Sequence, residues 1–185
     1  MTVNGSTLVS VDGVDAAAVK AVAKRILSTH GRHGEGGISH WDASGLFEEL
    51  VVAGDEAGIP SARTLLLLYA SDLAFRLRWE IEPALAEGRM VVAAPYVDTA
   101  IAFGRAAGLR AGWLTSLFRF ATPPTDRRYV EAPQTRRSRA SNGFVEFSCV
   151  RLAGRPLGLT RQELAGRTSA HLSAAAVRAQ RRQVI

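Results

Sequence analysis

The chain has 185 residues, of which 47% are hydrophobic and 22% charged, with a formal net charge of +6 and a single cysteine. This length suits one domain, residues 1–185, with a core large enough to need neither a metal nor a disulfide, and lone Cys149 cannot form an internal bridge. No apolar run reaches the roughly 20 residues that a bilayer crossing requires, and the N-terminus lacks the basic-then-apolar pattern of a signal peptide, so a cytoplasmic protein without a membrane partner is expected.

The positive charge comes from arginine rather than lysine and is concentrated beyond Asp126. Such a block can attract phosphates or nucleic acid. Aromatic side chains are not interleaved with these arginines as a base-stacking platform needs, so the expectation is a solvated basic surface rather than a nucleic-acid partner.

In chain order, Thr7 to Val11 is a short β-branched run followed at once by Asp12-Gly13 and by a helix-forming segment from Ala16 to Ser28. Strand, tight turn and helix open an α/β domain with a parallel sheet. His30, His33 and His40 fall close together, but their spacing fits neither usual zinc pattern and no cysteine joins them; no metal and no cofactor is expected. His40-Trp41-Asp42 ends the expected second strand, which would point all three residues into a cleft at the strand C-termini. His40 can be a general acid or base, since an unperturbed imidazole titrates near neutrality, or simply a loop histidine holding a hydrogen bond.

Leu46 to Val52 reads as a helix, and Ser61 can cap a long one from Ala62 to Glu80. Met90 to Gly104, MVVAAPYVDTAIAFG, is a strand, a turn at Ala94-Pro95-Tyr96, and a helix opened by Asp98-Thr99. A helix from Leu114 to Phe120, a fourth parallel strand from Arg128 to Pro133 and a final helix from Arg161 to Arg182 complete the pattern. The alternation of Gly143 to Val150 predicts a further strand, inside an atypical region at 134–160.

Several of these motifs, in this order, resemble the thymidylate kinase family. Tyr96, Val97, Asp98, Ile101 and Ala102 agree with that family's Tyr-Val-Asp-Ser-Ser-Ile-Ala segment; Leu68 to Arg76 resembles its Leu-Phe-Ala-Ala-Asp-Arg-Ala helix, with Asp72 in agreement; and Gly13 and Asp15 agree with its phosphate-binding loop. The resemblance implies a P-loop NTPase-like three-layer α/β sandwich, with a parallel sheet of about five strands flanked by helices, and a homodimer formed through helices. The charged positions depart from the pattern: Val19 stands for the loop lysine, Ala16 and Ala18 for its glycines, Leu73 and Pro95 for arginines, and Gly104 for a glutamine. Three lost charged contacts, each worth about 1.5–3 kcal/mol, would abolish useful nucleotide affinity.

The expectation is therefore a thymidylate kinase-like protein without ATP-dependent kinase chemistry, its nucleoside cleft turned over to another small-molecule ligand. His40, Asp12, Asp15 and Asp98 are the candidate acid-base residues for a cyclisation, isomerisation or condensation. Trp41, Asp42, Asp72, Arg76, Tyr96 and Phe103 are the candidate ligand contacts, with Trp41 and Phe103 available to stack on a planar ring. A pseudokinase that regulates or assembles, and a residual nucleotide kinase using Lys20 or the arginines near 136–139, are the alternatives.

Overall fold

The computed structural model describes residues 6–30, 36–53, 58, 60–131, 143–152 and 157–183. Strand β1 (Thr7–Gly13) leads into α1 (Ala16–His30), then β2 (Gly36–His40), α2 (Leu46–Ala53) and α3 (Ala62–Arg76). A π-helical turn, Leu77–Ile81, carries α3 into α4 (Glu82–Ala86), followed by β3 (Met90–Ala94), α5 (Val97–Ala106), α6 (Ala111–Leu117), β4 (Asp126–Val130), α7 (Phe144–Leu152) and α8 (Arg161–Gln183). α3 starts where the sequence predicts, with the Ser61 hydroxyl accepting from the Thr64 N–H at 3.0 Å.

The sheet is parallel, in the order β2-β3-β1-β4. Among the described residues it has four strands where about five were expected. Its β-branched strands are buried on both faces, as parallel sheets require. Val9, Val11, Val92 and Ala94 pack with Val19 and Ala23 of α1 on one face. Leu8, Val91 and Ala93 pack on the other face against a larger core drawn from α2, α3, α5, α6 and α7. β4 is more polar than a central strand should be because it lies at the end of the sheet order, beside β1 only.

Gly143 to Val150 is not a strand: Phe144–Leu152 is helical. The alternation competed with a helical spacing that won, since Phe144, Val145, Ser148, Cys149 and Leu152 form one buried face. Gln134 to Asn142, with its arginines, lies outside the described residues.

Candidate functional site

The connections that leave β1 and β3 run to opposite sides of the sheet, which opens a crevice outside their C-terminal ends. A cavity of about 210 Å³ lies there, walled by Gly13, Val14, Ala16, Val19 and Lys20 from the β1–α1 unit, by His40, Trp41, Ala94, Pro95 and Thr99, and by Gly143, Phe144 and Val145 from the start of α7. Its walls are mainly apolar, with Lys20, His40 and Thr99 as the polar exceptions.

The turn between β1 and α1 is short: only Val14 and Asp15 separate the strand from the helix. A Cβ on Gly13 would lie 2.7 Å from Val19 Cγ2 and 3.1 Å from Val130, so this turn is folded closely onto its own helix. The Asp15 carboxylate accepts from the Ala18 N–H at 2.8 Å, placing a negative charge at the positive end of α1. Gly143 covers the same helix end, because a Cβ there would stand 2.6 Å from the Ala16 Cβ. Lys20, by contrast, reaches the cavity wall.

Of the ten residues predicted from sequence, His40 and Trp41 line this cavity. Burial, followed by the charges of Lys20 and Arg76, holds the His40 pKa below its ordinary value, so near neutral pH the ring is an uncharged base. Asp15 is occupied as the α1 cap. Asp98 accepts from Arg127 at 2.8 Å and from the Tyr129 hydroxyl at 2.7 Å, on the β4 side of α5.

The other six residues hold the crevice together from behind. Asp12 Oδ1 accepts from the Tyr96 N–H (3.0 Å), the Thr99 N–H (2.9 Å) and the Thr99 hydroxyl (2.7 Å), tying the end of β1 to the start of α5. Burial and the charge of nearby Asp98 push its pKa up to about 7, against the opposing pull of those hydrogen bonds. The Tyr96 hydroxyl donates to the Thr122 carbonyl at 2.8 Å, and burial raises it to about 12, so it stays a phenol. Asp42 caps α2 by accepting from the Phe47 and Glu48 N–H groups at 2.9 and 3.1 Å. Asp72, fully buried, accepts from the Asp42 N–H, the Ser44 N–H and the Ser44 hydroxyl.

Among the described residues Arg76 is the largest fully buried side chain. Its Nε donates to the Ser39 hydroxyl at 2.8 Å, and one terminal nitrogen donates to the Ser39 and Pro95 carbonyls at 2.9 and 3.0 Å. The other terminal nitrogen stands 3.9 Å from Asp72 Oδ2. The Ser39 hydroxyl donates onward to Glu80 at 2.6 Å, so Asp72, Arg76, Ser39 and Glu80 form one chain beneath the ends of β2 and β3. Arg78 lies outside this group, exposed, 5.6 Å from the Trp79 ring centroid.

Phe103 is also fully buried, and its ring meets Phe144 at 5.2 Å rather than open space. Gly104 is remote from the cavity: a Cβ there would meet Leu114 and Leu66 at 2.5 and 2.8 Å, so it serves helix packing. Sequence reasoning placed Pro95 on a wall of the cleft but missed Thr99 and the start of α7. Thr99 was legible in principle, as a hydroxyl following Asp98 at a helix start. The α7 wall was not, since it is far along the chain from all three strand ends it covers, Gly13, His40 and Ala94.

No family model matches the chain. A probable thymidylate kinase of Thermococcus gammatolerans is 32% identical over 103 residues, covering 53% of this chain and 50% of that protein. A probable thymidylate kinase of Thermococcus onnurineus is 30% identical over 103 residues, with the same coverage. The chain thus spans about half the length of the curated relatives it matches. The crystal structure of thymidylate kinase from Ehrlichia chaffeensis superposes with a TM-score of 0.66 at 14% identity, covering 94% of this chain and 88% of that one. The parallel sheet flanked by helices therefore has the fold of that thymidylate kinase structure.

Proposed function

We propose that this scaffold binds an uncharged small molecule in the cavity at the ends of β1, β2 and β3, and that ATP-dependent phosphoryl transfer has been lost. The observation that carries the reading is the state of the α1 N-terminus. In a phosphate site, backbone N–H groups and a helix dipole are left free for an anion. Here the Asp15 carboxylate already takes the Ala18 N–H, and Gly143 packs on Ala16. A phosphate at this place would find the helix end covered by Gly143, with Val19, buried against Gly13, where a neutralising lysine is needed.

The neutral His40 ring beside an apolar wall suits proton transfer on an organic ligand. A cyclisation, isomerisation or condensation in secondary metabolism fits that chemistry. A catalytically inactive partner protein is the alternative, and exposed Leu67, Phe75 and Trp79, at i, i+8 and i+12 along α3 and the π-helical turn, support its assembly as a homodimer. A residual kinase is favoured by one observation, the Lys20 side chain at the cavity wall.

Thermal denaturation with thymidine, dTMP and ATP–magnesium tests the proposal. The expected result is that neither phosphate-bearing compound raises Tm above the effect of uncharged thymidine. A rise of several degrees specific to dTMP or ATP–magnesium would overturn it.

A further inference from the structure

The rings of Trp41 and Phe103 do not face an open slot, because the ring of Phe144 stands between them. Its centroid lies 5.2 Å from Phe103, 4.5 Å from Tyr69, 5.9 Å from Phe47 and 6.4 Å from Trp41. The same Phe144, with Gly143 and Val145, forms one wall of the strand-end cavity, so the cavity ends against the residue that fills the aromatic slot.

Two features separate this contact from ordinary core packing. The Ser148 hydroxyl, fully buried on α7 one turn after Phe144, has no hydrogen-bond partner, and neither has the indole N–H of Trp41, whose ring packs on Phe144 and Phe147. Buried polar groups without partners disfavour the seated state and regain water when the contact opens. α7 is also short, nine residues, and it meets the start of α1 through the close approach of Gly143 to Ala16.

We propose that α7 is an autoinhibitory element: the Phe144 ring occupies a slot for a planar aromatic ligand, and such a ligand enters only when the start of α7 lifts from α1. This inference rests on reading the cavity as a small-molecule site. The slot prefers a flat, uncharged ring because its walls are aromatic faces and edges, and a hydrogen-bond acceptor on that ring would meet the free Trp41 N–H. Once α7 has moved, the ligand and Phe144 compete for one space, so the population of the open form sets the apparent affinity.

Indole, which keeps the flat uncharged ring but lacks the acceptor, is a suitable probe of the slot itself, and two variants of the full chain separate displacement from simple hollowing. Phe144→Ala removes the occupant. Gly143→Val keeps the ring but forces α7 away from Ala16. Both are expected to bind indole at least tenfold more tightly than the native protein, and native α7 amides are expected to exchange faster in saturating indole. A gain in Phe144→Ala alone means an ordinary core cavity and overturns the inference, as does no gain in either. If Gly143→Val does not fold, the native exchange experiment decides: unchanged or slowed α7 exchange overturns the inference. ATP–magnesium added to the same proteins keeps the two readings apart. Stabilisation of the unseated variant by ATP–magnesium would sink the uncharged-ligand reading and leave α7 as the inhibitory element, whereas unchanged indole affinity would sink the inhibitory element alone.

Discussion

Arg76→Ala is expected to lower the unfolding free energy by about 3–5 kcal/mol, the usual cost of removing one partner from a buried ion pair. The side chain is fully buried and makes three hydrogen bonds, to the Ser39 hydroxyl and to the Ser39 and Pro95 carbonyls. Alanine removes the Arg76 donor from those carbonyls and buries Asp72 without the positive charge 3.9 Å away. Arg76→Lys is expected to fall between the two, since an ammonium keeps the charge but cannot present the planar fork that spans β2 and the β3–α5 turn. Urea denaturation of the three proteins checks this order. A loss below about 1 kcal/mol for the alanine variant would contradict the role of Arg76 as the joint between the two strand ends.

Asp12→Ala is expected to cost about 3 kcal/mol at pH 5.5 and distinctly less at pH 8.5. The loss comes from the Tyr96 and Thr99 N–H groups, which are left buried without an acceptor. The pH dependence follows from the direction of the Asp12 shift. Burial and Asp98 raise its folded pKa from 3.8 to about 7, so the folded state holds the proton more tightly than the unfolded chain does. That stabilisation is fully present below pH 4 and is lost as pH rises through about 7. The native protein therefore loses this contribution on the alkaline side while the alanine variant has none to lose, and the difference between them shrinks. Denaturation midpoints at the two pH values give the answer. A difference that grows with pH would mean that the three hydrogen bonds to the carboxylate outweigh its burial.

Much of the scaffold was legible because its signals are local. β1 and β3 are β-branched runs, α1 and α3 begin where Asp15 and Ser61 cap them, and α8 carries a long helical pattern. α7 was misread because its residues satisfy two periods at once, and the choice between them was made by Tyr69, Phe103 and Phe47, which are distant in sequence.

The site was legible only in part. His40 and Trp41 follow directly from standing at the end of a parallel strand. Asp72 and Tyr96 were singled out because they agree with the family's motifs, and Asp12 and Arg76 as charged groups in or beside those motifs, but such signals do not distinguish a group facing a ligand from one tying two strand ends together. Hydrogen bonding separates them. Each of the four is tied to backbone groups of another element, and none lines the cavity. Lys20 shows the opposite error: one residue beyond the expected lysine position, its place on α1 still brings it to the cavity wall.

The most direct test of the proposed loss of phosphoryl transfer is ADP production from ATP–magnesium with dTMP as acceptor, followed in a coupled assay for the native protein and Lys20→Ala. The proposal predicts no dTMP-dependent ADP in either protein. dTMP-dependent ADP from the native protein, abolished in Lys20→Ala, would contradict it and identify Lys20 as the phosphate-neutralising group of a working kinase.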